Sequence, residues 1–234
     1  MVLNMVNRRD FLSIAATMTS WALTPPVVAS ETRPEIAFTF DDPKTQDGAN
    51  LRWQDVNDRI MGALAKHKIK SVLFVCGMRL DSDAGHELIA TWDRQGHLIG
   101  NHSYSHFNFD EVTISDFEAD ALKNEPLIVS YRHFTRLFRY PYFKEGDTAE
   151  KRDGMRHFLQ EHGYRIGRAT IDASDWAISA RLEKRLKENP TADLAGYHDF
   201  FLEHIWERAQ FYESLAQRVL TRSVRHTVLL HHNA

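Results

Sequence analysis

A chain of 234 residues that is 43% hydrophobic and 26% charged, with 11 Gly and 7 Pro, has the material for one well-formed core. That composition excludes a collagen-like, low-complexity or largely disordered polymer. Its 29 basic and 32 acidic residues leave a formal charge of −3, which excludes attachment to nucleic acid by bulk positive charge, and its single cysteine, Cys76, excludes an internal disulfide or a Cys-based zinc site.

The chain opens with an address. Arg8-Arg9 precede the uncharged stretch Phe11–Leu23, and small residues follow at Val27-Val28-Ala29-Ser30. A basic start, a short apolar centre and a small-residue exit make a secretory signal over residues 1–30. Arg8-Arg9-Asp10-Phe11-Leu12 resembles the twin-arginine export motif, a receptor-read signal. The apolar run is shorter than the roughly 20 residues that a membrane-spanning helix needs, so no stable membrane anchor is expected. The implied partner is the export machinery, and the implied destination is the periplasm or the cell exterior.

Residues 31–234 then alternate apolar runs with amphipathic ones. Ile36–Phe40 reads as a buried strand, residues 51–67 as a helix, Val72–Val75 as a strand and Ala84–Arg94 as a helix. His97–Gly100 is a third strand. Ile114–Arg132 has helical periodicity, with Pro126 set to end or kink it. Arg136–Arg139 is a strand, Glu150–His162 a helix with Gly163 at its C-cap, and Tyr164–Ile171 a strand. Residues 180–188 and 198–222 are helical, and Thr227–Leu230 is the last strand. The second of those helices is aromatic, and the reading preferred for it is a cover packed on the sheet. Strand–helix alternation implies a mostly parallel sheet covered by helices, in one domain; periodicity does not separate an open sheet from a barrel.

Five polar clusters follow directly on apolar strands: Asp41-Asp42, His102 with His106, Arg139 to Tyr142, Asp172 with Asp175-Trp176, and His231-His232. Sites in parallel α/β folds form at the carboxyl ends of strands, so these clusters would share one mouth. His102 and His106 lie four apart, and on a helical turn they would share a face and bind one metal. Alone such a pair is more often a surface feature; a carboxylate at a neighbouring strand end changes the balance. Two His and one carboxylate leave coordination positions open for water or substrate. Asp41 and Asp42 point opposite ways on an extended backbone, so one would bind metal while the other acts as base. Arg139 is placed to orient a carboxylate and Asp175 to hold a histidine. Solvated ion pairs, a turn Asp and a core histidine at His231 are the plainer readings of these residues taken singly. Together the set suits metal-assisted hydrolysis, with a carboxylate base and a histidine acid at a leaving nitrogen.

Thr39-Phe40-Asp41-Asp42, His102-Ser103-Tyr104-Ser105-His106, Arg139-Tyr140-Pro141-Tyr142, Asp172-Ala173-Ser174-Asp175-Trp176 and Leu229-Leu230-His231 resemble the five ordered motifs of the NodB-type polysaccharide deacetylases, carbohydrate esterase family 4. The resemblance runs from about Ile36 to His231. It implies a distorted (β/α)7 barrel and removal of N-acetyl, sometimes O-acetyl, groups from a polysaccharide or oligosaccharide such as peptidoglycan or a chitin-like chain. It also implies roles. Asp41 is the general base, and Asp42, His102 and His106 hold a divalent metal, usually Zn2+, with Co2+, Ni2+ or Mn2+ as substitutes. Arg139 orients Asp41, His231 is the acid held by Asp175, the N–H of Tyr142 helps hold the oxyanion, and Trp176 and Leu229 line the pocket for the acetyl methyl.

Three departures stand out. Phe143 occupies a position that is often Gly in the family, and His232 one that is often Asp. Members usually continue into a C-terminal helix after the final strand, so the ending at Ala234 leads to the expectation of a fragment or an unusual closure that exposes apolar surface. Two competing functions are a hydrolase of non-sugar amides or cyclic imides and a carbohydrate-binding protein whose catalysis has lapsed. An export signal argues against the first, and the complete polar set against the second.

Overall fold

The computed structural model describes residues 35–49 and 51–233. Strand β1 (Ile36–Asp41) pairs in parallel with both β2 (Val72–Val75) and β7 (His226–His231). β2 continues to β3 (Leu98–Asn101), then β4 (Phe134–Phe138) and β5 (Arg165–Ile166), while β6 (Ile171–Asp172) lies outside β7. All pairings are parallel, and the order is β5-β4-β3-β2-β1-β7-β6. Parallel neighbours need crossover connections, and the helical segments supply them.

The sheet cannot be flat. Seven strands laid out at about 4.8 Å spacing would be roughly 29 Å wide, yet Gly167–Thr170 must join β5 at one edge to β6 at the other, a reach of about 17 Å. The sheet therefore curls into the distorted barrel that the sequence implied, with edge strands only two residues long. This corrects the single strand expected over Tyr164–Ile171. The apolar run is continuous, but Gly167 leaves the ladder and the chain changes edges; the Gly167 N–H donates to the Phe138 carbonyl and the Thr170 N–H to the Thr227 carbonyl.

Phe74 fills the barrel interior. Its ring lies against Gly100 and Gly167, where an added Cβ would come within 2.8 and 2.5 Å of it. Residues alternating with the interior ones face outward: Phe40, Leu73, Val75 and Ile99 pack under α1 (Trp53–Lys66) and α3 (Asp83–Arg94). A short α2 (Gly77–Leu80) precedes α3, whose N-terminus is capped by Ser82 accepting from the Gly85 N–H. Trp92 of α3 is fully buried and donates its indole N–H to Asn57 of α1.

The helix expected over Ile114–Arg132 is two, α4 (Ile114–Lys123) and α5 (Glu125–Ile128), because Pro126 restarts the helix at its first turn. α6 (Ala149–Glu161), capped by Thr148, covers β4 and β5 with α4. α7 (Asp175–Glu188) begins five residues before the expected start. α8 (Ala195–Leu220) lays Phe201, Ile205, Ala209 and Tyr212 on β6 and β7 at helical spacing and leaves Phe200, Trp206 and Phe211 exposed. No described helix is long and apolar enough to cross a membrane. The signal expected over residues 1–30 lies outside the described residues.

Candidate metal and hydrolytic site

The carboxyl ends of β1, β3, β4 and β7 meet in a cleft of about 620 Å³. Asp41 closes β1 and is buried. Asp42 turns left-handed, with φ at 53°. That single residue cancels the alternation of an extended strand, which would aim the two carboxylates apart. Both instead reach His102, whose Nε2 lies 3.7 Å from Asp41 Oδ2 and 4.0 Å from Asp42 Oδ1.

His102 follows β3 and is buried. Its Nδ1 sits 2.8 Å from the Arg139 carbonyl, which can only accept, so Nδ1 carries the hydrogen and Nε2 offers its lone pair to the cleft. Burial pushes the His102 pKa down and keeps the ring neutral, with Asp41 and Asp42 pulling the other way. His106 places Nε2 3.2 Å from Asp42 Oδ2. One donor atom from each of Asp42, His102 and His106 lies within 4.8 Å of the others. Burial is the largest single influence on Asp42 and works against its charge, but the His106 hydrogen bond and the surrounding charges, Arg79 among them, together outweigh it, and the carboxyl is held well below the usual range. Asp42 Oδ1 is buried and accepts no hydrogen bond. An orphaned carboxylate oxygen beside two imidazole nitrogens, His106 Nε2 giving up to the cation the place of the hydrogen it shares with Asp42, fits a divalent cation of the zinc type, with positions left open.

The two histidines do not share a helical turn, as their spacing suggested. Residues 102–106 form a loop with left-handed backbone at Ser103 (φ 63°) and His106 (φ 55°). Left-handed non-glycine residues persist only where the surroundings hold them, and here the holder is visible. Buried Asp120 of α4 accepts from the N–H groups of Tyr104 and Ser105, at 3.1 and 2.9 Å to Oδ2. Asn101 Oδ1 accepts from the Ser103 N–H and from Asn124 Nδ2, and Asn101 Nδ2 donates to the Ala121 carbonyl and to Tyr164 Oη. Sequence reasoning missed Asp120, Asn101 and Asn124. The signal was there for Asp120, a carboxylate on the apolar face of an amphipathic helix.

Arg139 leaves β4 and crosses the barrel interior, 1% exposed. Its Nη1 donates to Asp41 Oδ1 at 2.7 Å and to Thr39 Oγ1 at 2.8 Å, its Nε donates to the Gly167 carbonyl, and its guanidinium stacks on Phe74. Asp41 is thus fixed from behind. Across the cleft, His231 closes β7 while Asp175 opens α7. Asp175 accepts from the His231 N–H at 2.6 Å and from its Nδ1 at 2.8 Å, which turns Nε2 outward as the free ring atom. Burial opposes a charge on His231, but the hydrogen bond and charge of Asp175 outweigh it, Asp41 and Asp42 add, and its pKa rises above the ordinary value. His232 is a weaker candidate for proton transfer. Both its ring nitrogens are buried without hydrogen-bond partners, and burial pushes its pKa down to about 4.

Tyr142 and the adjacent Phe143 are both left-handed, with φ of 56° and 55°, and the Tyr142 ring stands edge-on to His106. Tyr142, Trp176 and Leu229 line the same cleft as Asp41, Asp42, His102, His106 and His231. Arg139 lies beneath it and Asp175 behind it. Lys44, Arg79 and Phe143 also line it; only Phe143 was marked by the sequence, as a departure.

Comparison with known proteins follows the same line. The family model described as "Polysaccharide deacetylase" matches residues 29–167, more than half of the chain. A peptidoglycan-N-acetylglucosamine deacetylase of Bacillus cereus is 27% identical over 143 residues, covering 61% of this chain and 46% of that protein. A chitin deacetylase of Arthroderma benhamiae is 25% identical over 144 residues, covering 60% of this chain and 35% of that one. The chain thus spans less than half the length of these relatives. Among solved structures, the polysaccharide deacetylase Bc1974 from Bacillus cereus superposes with a TM-score of 0.59 at 18% identity, covering 86% of this chain and 80% of that one.

Proposed function

Because the chain belongs to the polysaccharide deacetylase family, we propose that it is an exported, metal-dependent hydrolase that removes N-acetyl or O-acetyl groups from a glycan of the peptidoglycan or chitin type. The observation that carries this reading is the convergence, in one cleft, of the Asp42, His102 and His106 donor set with two oriented pairs, Asp41–Arg139 and His231–Asp175. Similarity to relatives named for peptidoglycan and chitin supports the substrate class.

Asp42, His102 and His106 would hold the cation, zinc first, which when bound polarises the acyl carbonyl and acidifies water. Asp41, ionised and pinned by Arg139, takes a proton from the attacking water as its oxygen bonds to the acyl carbon. The backbone N–H of Tyr142 donates to the oxyanion that develops. His231 Nε2 delivers a proton to the leaving nitrogen as the C–N bond breaks, and acetate and a free amine remain. Asp175 keeps Nδ1 protonated through that transfer. Trp176 and Leu229 bound the space for the acetyl methyl. Export would follow from Arg8-Arg9 and the apolar run behind them, which places the activity outside the cytoplasm.

The test is acetate release from N-acetylglucosamine oligomers by purified protein, before and after chelation and zinc addition. The expected result is release that stops with chelator and returns with zinc. Zinc bound without release would move the substrate to another amide, and neither zinc nor release would favour a binding protein.

A further inference from the structure

We propose that the cleft selects an acetylated glycan that carries a carboxylate on the acetylated sugar or its neighbour, and that Arg79 binds that carboxylate with Lys44 as an auxiliary cation. The proposal rests on the deacetylase reading above and names its substrate class more narrowly.

Arg79 belongs to α2, directly after β2, and Lys44 lies in the loop after β1, so both stand at the carboxyl ends of neighbouring strands. Both side chains line the cleft and keep about a third of their surface exposed to solvent, 36% for Arg79 and 33% for Lys44. Arg79 commits little of its binding capacity. Its Nε is 3.4 Å from Asp42 Oδ1, beyond an ordinary charge-assisted hydrogen bond, and its other polar neighbour is the Cys76 sulfur. A guanidinium offers five N–H donors in a fixed fork that matches a carboxylate bidentately, and most of this fork is unspent.

The other charges of the cleft have partners or roles of their own. Asp41 is matched by Arg139, and Asp42 belongs to the metal set. Glu183 stands 3.8 Å from Lys44 and partly neutralises it, and Asp172 Oδ1 accepts from the Ser174 N–H. Apart from His231, which serves as the acid, Arg79 is therefore the cation that a substrate meets with most of its donors free. A neutral chitin-like chain gives it no partner, and leaving a desolvated guanidinium unpaired on binding is unfavourable. A glycan acid pairs with it, and the half-buried setting strengthens the pairing over that of a surface ion pair.

The experiment uses the zinc-loaded protein and four oligomers of matched length. These are a neutral N-acetylglucosamine oligomer, a peptide-free peptidoglycan glycan with free lactyl carboxylates, the same glycan with those carboxylates amidated, and a peptide-bearing form whose carboxylates sit on the peptide. The expected result is a kcat/KM for the free-acid glycan about tenfold or more above that for its amide, a margin that shrinks as salt rises. Arg79→Gln should erase most of that ratio, Arg79→Lys should restore part of it, and Lys44→Gln should reduce it less. Equal rates on acid and amide overturn the proposal. So does an Arg79→Gln loss that is the same on both, because Arg79 would then only steady Asp42, and so does a preference confined to the peptide-bearing form. Absence of acetate from all four with zinc bound overturns the deacetylase reading itself.

Discussion

The two walls of the cleft are built differently. The metal wall rests on β3 and α4, where buried Asn101, Asn124 and Asp120 bond to one another, to backbone or to the loop that carries His106. The acid wall hangs from the end of β7 and is backed by β6, two residues long, and by α8, a 26-residue helix in which Ala216 is the one buried residue among those described, while Trp206 is 63% exposed. One wall is fixed by a buried polar network beneath it; the other is set by a single Asp–His pair and an apolar helix face. A buried network specifies one geometry, as metal coordination requires, whereas proton delivery needs only one ring correctly aimed.

The largest effect should come from removing the metal wall's function outright. His102→Ala with His106→Ala leaves Asp42 as a lone donor, so elemental analysis after zinc loading should find the site empty and acetate release at background. Retained zinc would place the site elsewhere. Asp41→Asn separates base from ligand. The metal should stay, while turnover falls roughly 10²–10⁴-fold, the usual contribution of a positioned acid or base. Normal turnover in that variant would defeat the assignment.

Where each part of the cleft was legible follows from its physics. Buried parallel strands are continuous apolar runs, and polar residues that interrupt them at the carboxyl end mark the mouth, so Asp41, His102, Arg139 and His231 were visible as a set. Which aspartate does what was not visible from the residues, because the rule for extended chains sends neighbours apart and the left-handed turn at Asp42 is a product of tertiary structure. The His102–His106 spacing suggested a helical turn for the same reason: it is a loop whose shape is imposed by Asp120, 14 residues beyond the second histidine in sequence and adjacent only in the fold. Residues 164–171 read as one strand because the pattern cannot tell a strand from two edge fragments of a curled sheet. Arg79 and Lys44 carry no pattern at all.

Asp120→Ala tests whether the polar network is what makes the metal wall precise. The variant leaves the Ser105 N–H without its acceptor and the Tyr104 N–H with the Asp120 backbone carbonyl alone, and it relaxes a loop with two left-handed residues. Zinc affinity should fall about 10–100-fold, the size typical of losing support behind a ligand, and saturating zinc should recover most of the turnover. Unchanged affinity, by competition with a chromogenic chelator, would show that the loop holds itself.

The acid wall should respond more gently, and with a pH signature that the metal wall lacks. Asp175→Asn keeps an acceptor for His231 Nδ1 and removes the charge that raises its pKa above the ordinary 6.5. An acid must be protonated to act, so the wild-type kcat/KM should hold to a pH above that ordinary value before it declines. In the variant burial dominates, the pKa drops, and the alkaline limb moves to lower pH. At neutral pH the loss should be about tenfold for each unit of displacement, and it should narrow as the pH is lowered. Stability carries the same sign. A raised folded-state pKa contributes fully below the unfolded value of 6.5 and fades as pH climbs through the raised one, so wild type should exceed the variant in melting temperature at acidic pH and converge on it at alkaline pH. A uniform loss with an unmoved limb would mean that Asp175 only packs beneath β7, and the contrast between the two walls would then rest on structure alone.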